Sequence, residues 1–284
     1  MKLLRYSEGD QTRLGALEGE TIVDLSPIAS DYPTILSIVR GGDAALARVQ
    51  DTIAAREHTR ASAGVRLLAP IERPGKFLAI GMNYRKHMAE SEKLGVPKPQ
   101  QQFWFNKQTT CIAGPFDDVV AGVTEKLDYE VELAAIIGAP AKGVSEEDAR
   151  RHVFGYVVCN DVSARDWQFH SPTFMMGKSF DTHGPIGPWI VTADEIDDPH
   201  NLPLRCFVNG TLRQESNTSE MVFNLWQQIA YLSTAFTLES GDLIATGTPE
   251  GVGIAMDPPS FLRPGDVMRC EIDGIGAIEN RVVA

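Results

Sequence analysis

Cysteine is scarce in this 284-residue chain, and the four present (Cys111, Cys159, Cys206 and Cys270) lie far apart with no CxxC spacing. That pattern argues against a zinc site or a disulfide framework and fits reduced thiols in a cytosolic protein. Cations are also short: 26 Lys and Arg face 38 Asp and Glu, for a net charge of −12. Nucleic acid and an anionic membrane surface are therefore not default partners. An anionic small molecule stays admissible, because a local cation cluster or a metal overrides the global field. No stretch approaches the roughly 18 uncharged apolar residues that a membrane span needs. The opening "MKLLRYSEGDQ" has no apolar h-region, and its early acids argue against a transit peptide. Internal repeats and low-complexity tracts are absent. A soluble, cytoplasmic protein is expected.

Hydrophobic residues make up 43% of the chain, enough for a sizeable core. Residues 1–70 read as a small separate unit. "KLLRY", "RLGALEG" and "TIVDL" are short strand-like runs between Gly and acidic turns. From Tyr32 to about Arg56 apolar residues recur at helical spacing, and Gly41-Gly42 divides the segment into two helices. "LLAPIERPGK" marks a boundary near Pro70. Residues 71–284 then read as a β-rich body, with strands expected in "KFLAIGMNY", "DYEVELAAIIG", "FGYVVCNDVS", "GPWIVTADE", "LRCFVNG", "DLIATGTPEG" and "VMRCEIDGIG". Helices are expected only after Asn83, over "SEEDARRHV" and over "EMVFNLWQQIAYLSTAFT".

"LDYEVELAAIIG" sets Glu130 and Glu132 at the head of an otherwise apolar run. On a strand, residues i and i+2 share a face, with α-carbons about 6.6 Å apart. On a helix the same pair would splay roughly 200° apart. A lone Glu-x-Glu is a weak signal, and a solvated strand edge would explain it. Asp161, just past the apolar strand in "FGYVVCNDVSARDWQ", changes the weight. Two neighbouring strands delivering Glu, Glu and Asp to one corner offer hard oxygen ligands, which suit Mg²⁺, Mn²⁺ or Ca²⁺ rather than zinc.

In "GMNYRKHMAE" a helical turn would put His87 and Glu90 at i, i+3 on one face. A carboxylate beside an imidazole orients it and raises its basicity, as a general base requires; an exposed surface pair is the plainer reading. Lys178, in "MMGKSFDTHGPIGPWIV", stands in a Gly-rich approach to a strand where packing does not call for a lysine. "LESGDLIATGTPEGVG" ends a strand in a Gly/Pro loop offering backbone N–H groups and the Thr248 hydroxyl. Such loops bind carboxylates or phosphates, but the spacing matches neither a P-loop nor a dinucleotide fingerprint.

In this order the segments "GMNYRKHMAE", "DYEVELAAIIG", "GYVVCNDVSARDWQ", "GKSFDTHGPIGPWIVTADEI" and "LESGDLIATGTPEGVG" resemble the fumarylacetoacetate hydrolase family. The runs "DVSARDWQ" and "GKSFDTHGPIGPW" place the likeness nearest its domain-containing protein 2 and diketo-sugar-acid hydrolase branch. The resemblance implies a mixed, β-rich fold, a β-sandwich roll with a small α+β N-terminal domain, and a homodimer. It implies Mg²⁺ or Mn²⁺ on Glu130, Glu132 and Asp161, a His87–Glu90 dyad and an active-site Lys178. Arg165, Gln168 and Thr248 would contact the 2-oxo acid end of a small-molecule substrate. The chain departs from the family's founding enzyme at one point, having Met82 where that enzyme has a further aspartate ligand. The expected reaction is metal-dependent C–C hydrolysis of an acylpyruvate-like 2,4-diketo acid. The polar segment from Lys86 to about Gln102 would close over it as a lid. Oxaloacetate decarboxylation and keto–enol tautomerisation are the alternatives, with a non-enzymatic binding protein behind them.

Overall fold

In the computed structural model, which describes residues 1–93 and 95–284, the chain forms one large sheet, a smaller, mainly antiparallel five-stranded sheet packed against it, and a two-stranded ribbon. The centre of the large sheet is an antiparallel pair, Val131–Ile137 with Val153–Asn160, in the register Val131↔Asn160 and Glu132↔Cys159. Both strands are buried along their whole length, which is why they read as unbroken apolar runs rather than as alternating ones. Gly184–Thr192 flanks the pair on one side; Leu243–Ala245 flanks it on the other, followed by Phe77–Gly81 and Phe103–Lys107.

Alternation along the central strand divides the core in two. Val131, Leu133, Ala135 and Ile137 face the small sheet and meet Leu204, Cys206, Met268 and Ile278. Ala134 and Ile136 face the other way, where they join Val157, Cys159 and residues of the N-terminal segment. Glu130 and Glu132 continue this second series, and Cys159 leads to Asp161 on the partner strand. The Asp161 N–H donates to the Glu130 carbonyl at 2.9 Å, which carries the ladder one step past the last strand residue. The register of two strands therefore sets three carboxylates at one end of one face.

Residues 1–70 supply the cover for that face. The strand Lys2–Glu8 pairs antiparallel with Gly184–Thr192 through Lys2↔Val191 and Leu3↔Ile190, so this segment extends the main sheet. Its helix, Ile35–Ala55, packs Ile38 and Val49 into the same core as Ala134 and Val157. The break expected at Gly41-Gly42 is present, with Gly42 at φ +54° and ψ −140°. That backbone is far cheaper for glycine than for any residue with a Cβ.

Two helices matter for the site. Arg85–Lys93 follows Asn83, as expected, and carries His87 and Glu90. The helix expected over the whole of "EMVFNLWQQIAYLSTAFT" is shorter, Leu225–Ala235. Asn224 stops it from starting earlier: its side chain accepts from the Gln227 N–H and the Gln227 side chain reciprocates, a capping box that ends the helix there. The segment "SEEDARRHV" is helical for only four residues, Glu146–Ala149, before a 3₁₀ turn. Among the strands not expected from the sequence are Phe103–Lys107, Thr211–Asn217 and Gly276–Val283.

Asn83 locks the entry to the dyad helix. Its buried amide donates to the carbonyls of Thr246 (2.7 Å) and Phe223 (3.0 Å) and accepts from the Phe223 N–H (2.9 Å). Asn83→Ala leaves the Thr246 carbonyl and the Phe223 N–H without this partner, while the Phe223 carbonyl keeps the Gln228 amide at 2.9 Å. Each group left unsatisfied costs about 1–3 kcal/mol. Urea denaturation is expected to show a stability loss of at least about 2 kcal/mol; an unchanged midpoint would count against this role.

Candidate metal centre and active site

Glu130, Glu132 and Asp161 each present one carboxylate oxygen such that all three oxygens lie within 4.8 Å of one another, and all three residues are buried. Around them the charges nearly balance. Lys178 Nζ donates to Glu130 Oε2 and Asp161 Oδ2, each at 2.7 Å. Lys107 Nζ donates to Asp161 Oδ1 at 2.6 Å and also to the Lys178 carbonyl. Arg165 reaches Asp128 Oδ2 through Nε (2.8 Å) and Glu130 Oε1 through Nη1 (2.7 Å). Four carboxylates, Asp128 included, thus meet three cations in a dry corner.

The missing positive charge falls on Glu132. Among the described residues its only hydrogen bond comes from the Gly247 N–H, at 2.7 Å. Burial, with Asp161 and Glu130 adding repulsion, pushes its pKa well above the usual carboxylate value. Glu130 goes the other way. Burial opposes its charge, but Lys178 and Arg165 outweigh burial and hold it at about 2. Three buried oxygens with one uncompensated negative charge are the donor set a hard divalent cation requires, so these residues fit the metal. Met82 lines the adjoining cavity at φ +55° and supplies no oxygen to the set.

The cavity next to the triad has a volume of about 250 Å³ and admits His87, Glu130, Arg165, Gln168, Lys178 and Thr248 to its wall. His87 Nδ1 lies 3.0 Å from Glu90 Oε2, and Glu90 Oε1 accepts from the Gly251 N–H at 3.2 Å. Glu90 therefore favours the tautomer with its proton on Nδ1 and leaves Nε2 as the basic nitrogen. Gln168 Oε1 accepts from Arg165 Nη1 at 3.0 Å, while Arg165 Nη2 is buried without a partner among the described residues. An anionic ligand atom would satisfy it. Thr248 lines the cavity as expected of a substrate contact, with its hydroxyl already engaged. Its hydroxyl donates to the Val131 carbonyl (3.0 Å) and accepts from Gln214 Nε2 (2.9 Å), so its proton is committed inside the fold.

A family model, fumarylacetoacetate (FAA) hydrolase C-terminal, matches residues 76–283. The chain belongs to the fumarylacetoacetate hydrolase family. Over its full length it is 43% identical to a Xenopus laevis protein named oxaloacetate tautomerase fahd2, mitochondrial, covering 90% of that protein. It is 41% identical to the human oxaloacetate tautomerase FAHD2A, mitochondrial, over 93% of the chain and 85% of the relative. Among solved structures, a fumarylacetoacetate hydrolase from Exiguobacterium antarcticum aligns at TM-score 0.88 with 39% identity, covering 100% of this chain and 99% of that one. Maleylpyruvate hydrolase from Sphingobium, solved with manganese(II) and pyruvate, aligns at TM-score 0.83 with 32% identity, covering 100% and 99%. The β-rich mixed-sheet architecture expected for the family is the one observed, and the chain is an enzyme of that family.

Two residues central to this site were not singled out in the sequence, and the signal was present for both. Asp128 precedes Glu130 and Glu132 in the same alternating series, and it anchors Arg165 while accepting from the Gly253 and Ile254 N–H groups at 2.7 and 3.0 Å. Lys107 ends "FWFNK", where Phe105 and Lys107 alternate onto the buried face. The expected lid begins as the helix Arg85–Lys93, and its polar face carries the dyad.

The charge deficit at Glu132 has a testable sign. A carboxyl whose folded pKa is raised above its unfolded value loses stability as pH rises past the ordinary 4.5. At neutral pH, metal-free Glu132→Gln is therefore expected to be at least as stable as metal-free wild type while losing tight Mn²⁺ binding. Thermal melts with EDTA and Mn²⁺ calorimetry read both effects. A variant that is less stable without metal, or that binds Mn²⁺ like wild type, would contradict the assignment.

Gly177 sits where a Cβ would press on the Gln168 and Ala164 backbones. Gly177→Ala forces the short helix Met175–Lys178 away from Arg165 and Gln168. Turnover is expected to fall about 100-fold, as for a displacement of about 1 Å, with the protein still folded by circular dichroism. Wild-type turnover in the alanine variant would rule this out.

Proposed function

We propose that this chain is a divalent-metal-dependent oxaloacetate tautomerase, interconverting the keto and enol forms of oxaloacetate. The observation that carries the reading is a histidine base, His87 braced by Glu90 at 3.0 Å, lining a cavity that is also walled by the buried carboxylate of Glu130. The full-length likeness to proteins named oxaloacetate tautomerases, at 43% identity, supports that substrate. Acylpyruvate hydrolysis, the first expectation from the sequence, takes second place. Its support is the 39% identical fumarylacetoacetate hydrolase and the 32% identical maleylpyruvate hydrolase. Hydrolysis also demands a water held between the base and a distal ketone, whereas tautomerisation asks only that one base reach the third carbon and the 2-oxygen.

A cation held by Glu130, Glu132 and Asp161, Mg²⁺ or Mn²⁺, would supply Lewis acidity toward the carboxylate and 2-oxygen of a 2-oxo acid. The chain's own residues do the rest. His87 Nε2 takes the proton from the third carbon and returns it to the 2-oxygen, and the reverse direction uses the same atom. Arg165 Nη2 and the Gln168 amide orient the carboxylate. Lys178, already beside Glu130 and Asp161, places positive charge near the oxygen that becomes negative. A cavity walled largely by apolar side chains keeps bulk water from competing for the proton. The homodimer and the cytoplasmic location expected from the sequence stay part of this proposal; the Xenopus and human relatives are named mitochondrial. No helix among the described residues is long and apolar enough to cross a membrane.

His87→Ala is expected to lower the enzyme-catalysed conversion of enol to keto oxaloacetate by about 10²–10⁴-fold, with Mn²⁺ affinity close to wild type. A variant with full activity would overturn the assignment. If wild type cleaves an acylpyruvate, or releases CO₂ from oxaloacetate, with a higher kcat/KM than it tautomerises oxaloacetate, that reaction replaces this one.

A further inference from the structure

The cavity, about 250 Å³ in volume, changes character along its length. Near the carboxylate triad its wall is polar. Away from Lys178 a chain of aromatic rings takes over. Phe105 lies 5.0 Å from Lys178 Nζ, Phe174 stands 6.2 Å from Phe105, and Phe169 packs edge-on against Phe174 at 5.4 Å. Exposure rises along this path: Lys178 is 2% exposed, Phe105 5% and Phe169 57%. The rings thus lead from the buried polar end to the cavity mouth, with Val96 and Ile254 also in the wall.

Phe174 adds a second observation. Its φ is +58°, in the left-handed region that a bulky side chain adopts only under constraint. It sits at the start of the helix that carries Lys178, and its ring joins Phe103, Phe105 and Phe169. Backbone strain of this kind persists where surrounding structure demands it and concentrates at ligand sites. The aromatic wall offers nothing to a second carboxylate on a long tail. Among the described lining residues the cationic side chains are Arg165 and Lys178, both at the polar end and both engaged with carboxylates. A charged tail there would lose its water without a partner, whereas an aromatic tail would find edge-to-face partners.

We propose that the cavity also accepts 2-oxo acids bearing an aromatic ring on the third carbon, the ring lying against Phe169 and Phe174, and that His87 enolises them there. The inference rests on the tautomerase reading for its chemistry. The C3–H bond breaks and its electron pair becomes the C2–C3 π bond. The carbonyl π pair moves to the 2-oxygen, which takes the proton back from His87. Nothing is oxidised or reduced, and no co-reactant is consumed.

The test uses the intact Mn²⁺-loaded protein with oxaloacetate and phenylpyruvate as substrates, each followed by its enol absorbance. Oxamate and N-phenyloxamate, which have no C3–H and cannot enolise, serve as binding probes by calorimetry. N-phenyloxamate is expected to bind at least about tenfold tighter than oxamate, the gain from burying one ring. Phe169→Ala is expected to cut that preference at least about threefold, because it removes only the ring at the rim. Phenylpyruvate is expected to be enolised faster than in buffer. If oxaloacetate turns over but phenylpyruvate does not, and N-phenyloxamate binds no better than oxamate, the aromatic subsite is refuted and the tautomerase reading stands. If phenylpyruvate turns over and oxaloacetate does not, the subsite stands and the proposed substrate falls. A ring preference unchanged in Phe169→Ala would overturn the placement of the tail.

Discussion

Burying Glu130, Glu132 and Asp161 in one corner sets the terms for everything around them. The effective penalty for taking each ion out of water is several kcal/mol, and like charges a few ångströms apart raise it further. Lys178, Lys107 and Arg165 offset most of that cost, each through at least one contact of 2.8 Å or less. All three cations are themselves buried, so they are as dependent on the carboxylates as the carboxylates are on them. The cluster is a mutual arrangement that leaves one negative charge over. That remainder makes the site receptive to a divalent cation and then, once the charge has been inverted, to an anionic acid.

The fold serves this arrangement by register. The pairing of Val131–Ile137 with Val153–Asn160 places Glu132 across from Cys159 and brings Glu130 against Asp161. A slip of one residue in the strand Val131–Ile137 would turn Glu132, and Glu130 before it, to the opposite face, against the small sheet where Leu204 and Met268 pack, and would part them from Asp161. The slip would bury those carboxylates among apolar side chains, away from Lys178 and Arg165, so the strand register and the carboxylate cluster are specified together. The N-terminal segment closes the far side of this core and joins the sheet through the strand Lys2–Glu8.

The proposed catalytic parts come from different kinds of element. The carboxylates stand on central strands, whereas the dyad stands on a short helix tied down by Asn83 and by the Gly251 N–H on Glu90. Lys178 occupies a four-residue helix wedged against Ala164 and Gln168 through Gly177, and the strained Phe174 begins it. The proposed proton transfer at a 2-oxo acid would use this division: charge at one end, a base at the other, and little water between.

Much of this was legible in the chain itself. Period-two alternation marked Glu130 and Glu132 as convergent, and Asp161 stood visibly past a second apolar strand. Gly41-Gly42 announced the helix break. These signals are local, and local backbone geometry decides them. The extent of the helix Leu225–Ala235 was misjudged because a side-chain cap at Asn224 overrode a favourable pattern. Lys107 and Asp128 went unmarked although each continues an alternating series, because a single charge at a strand end carries no sign of its partner. Those partners, Asp161 for Lys107 and Arg165 for Asp128, lie 54 and 37 residues away. The commitment of the Thr248 hydroxyl to Val131, 117 residues distant, could not be read for the same reason. The sequence by itself determined which strands are buried and which acids share a face. Only the tertiary structure decided how many cations meet those acids, which hydroxyl is left for a ligand and where the aromatic wall stands. Each of those depends on chain segments that folding alone brings together.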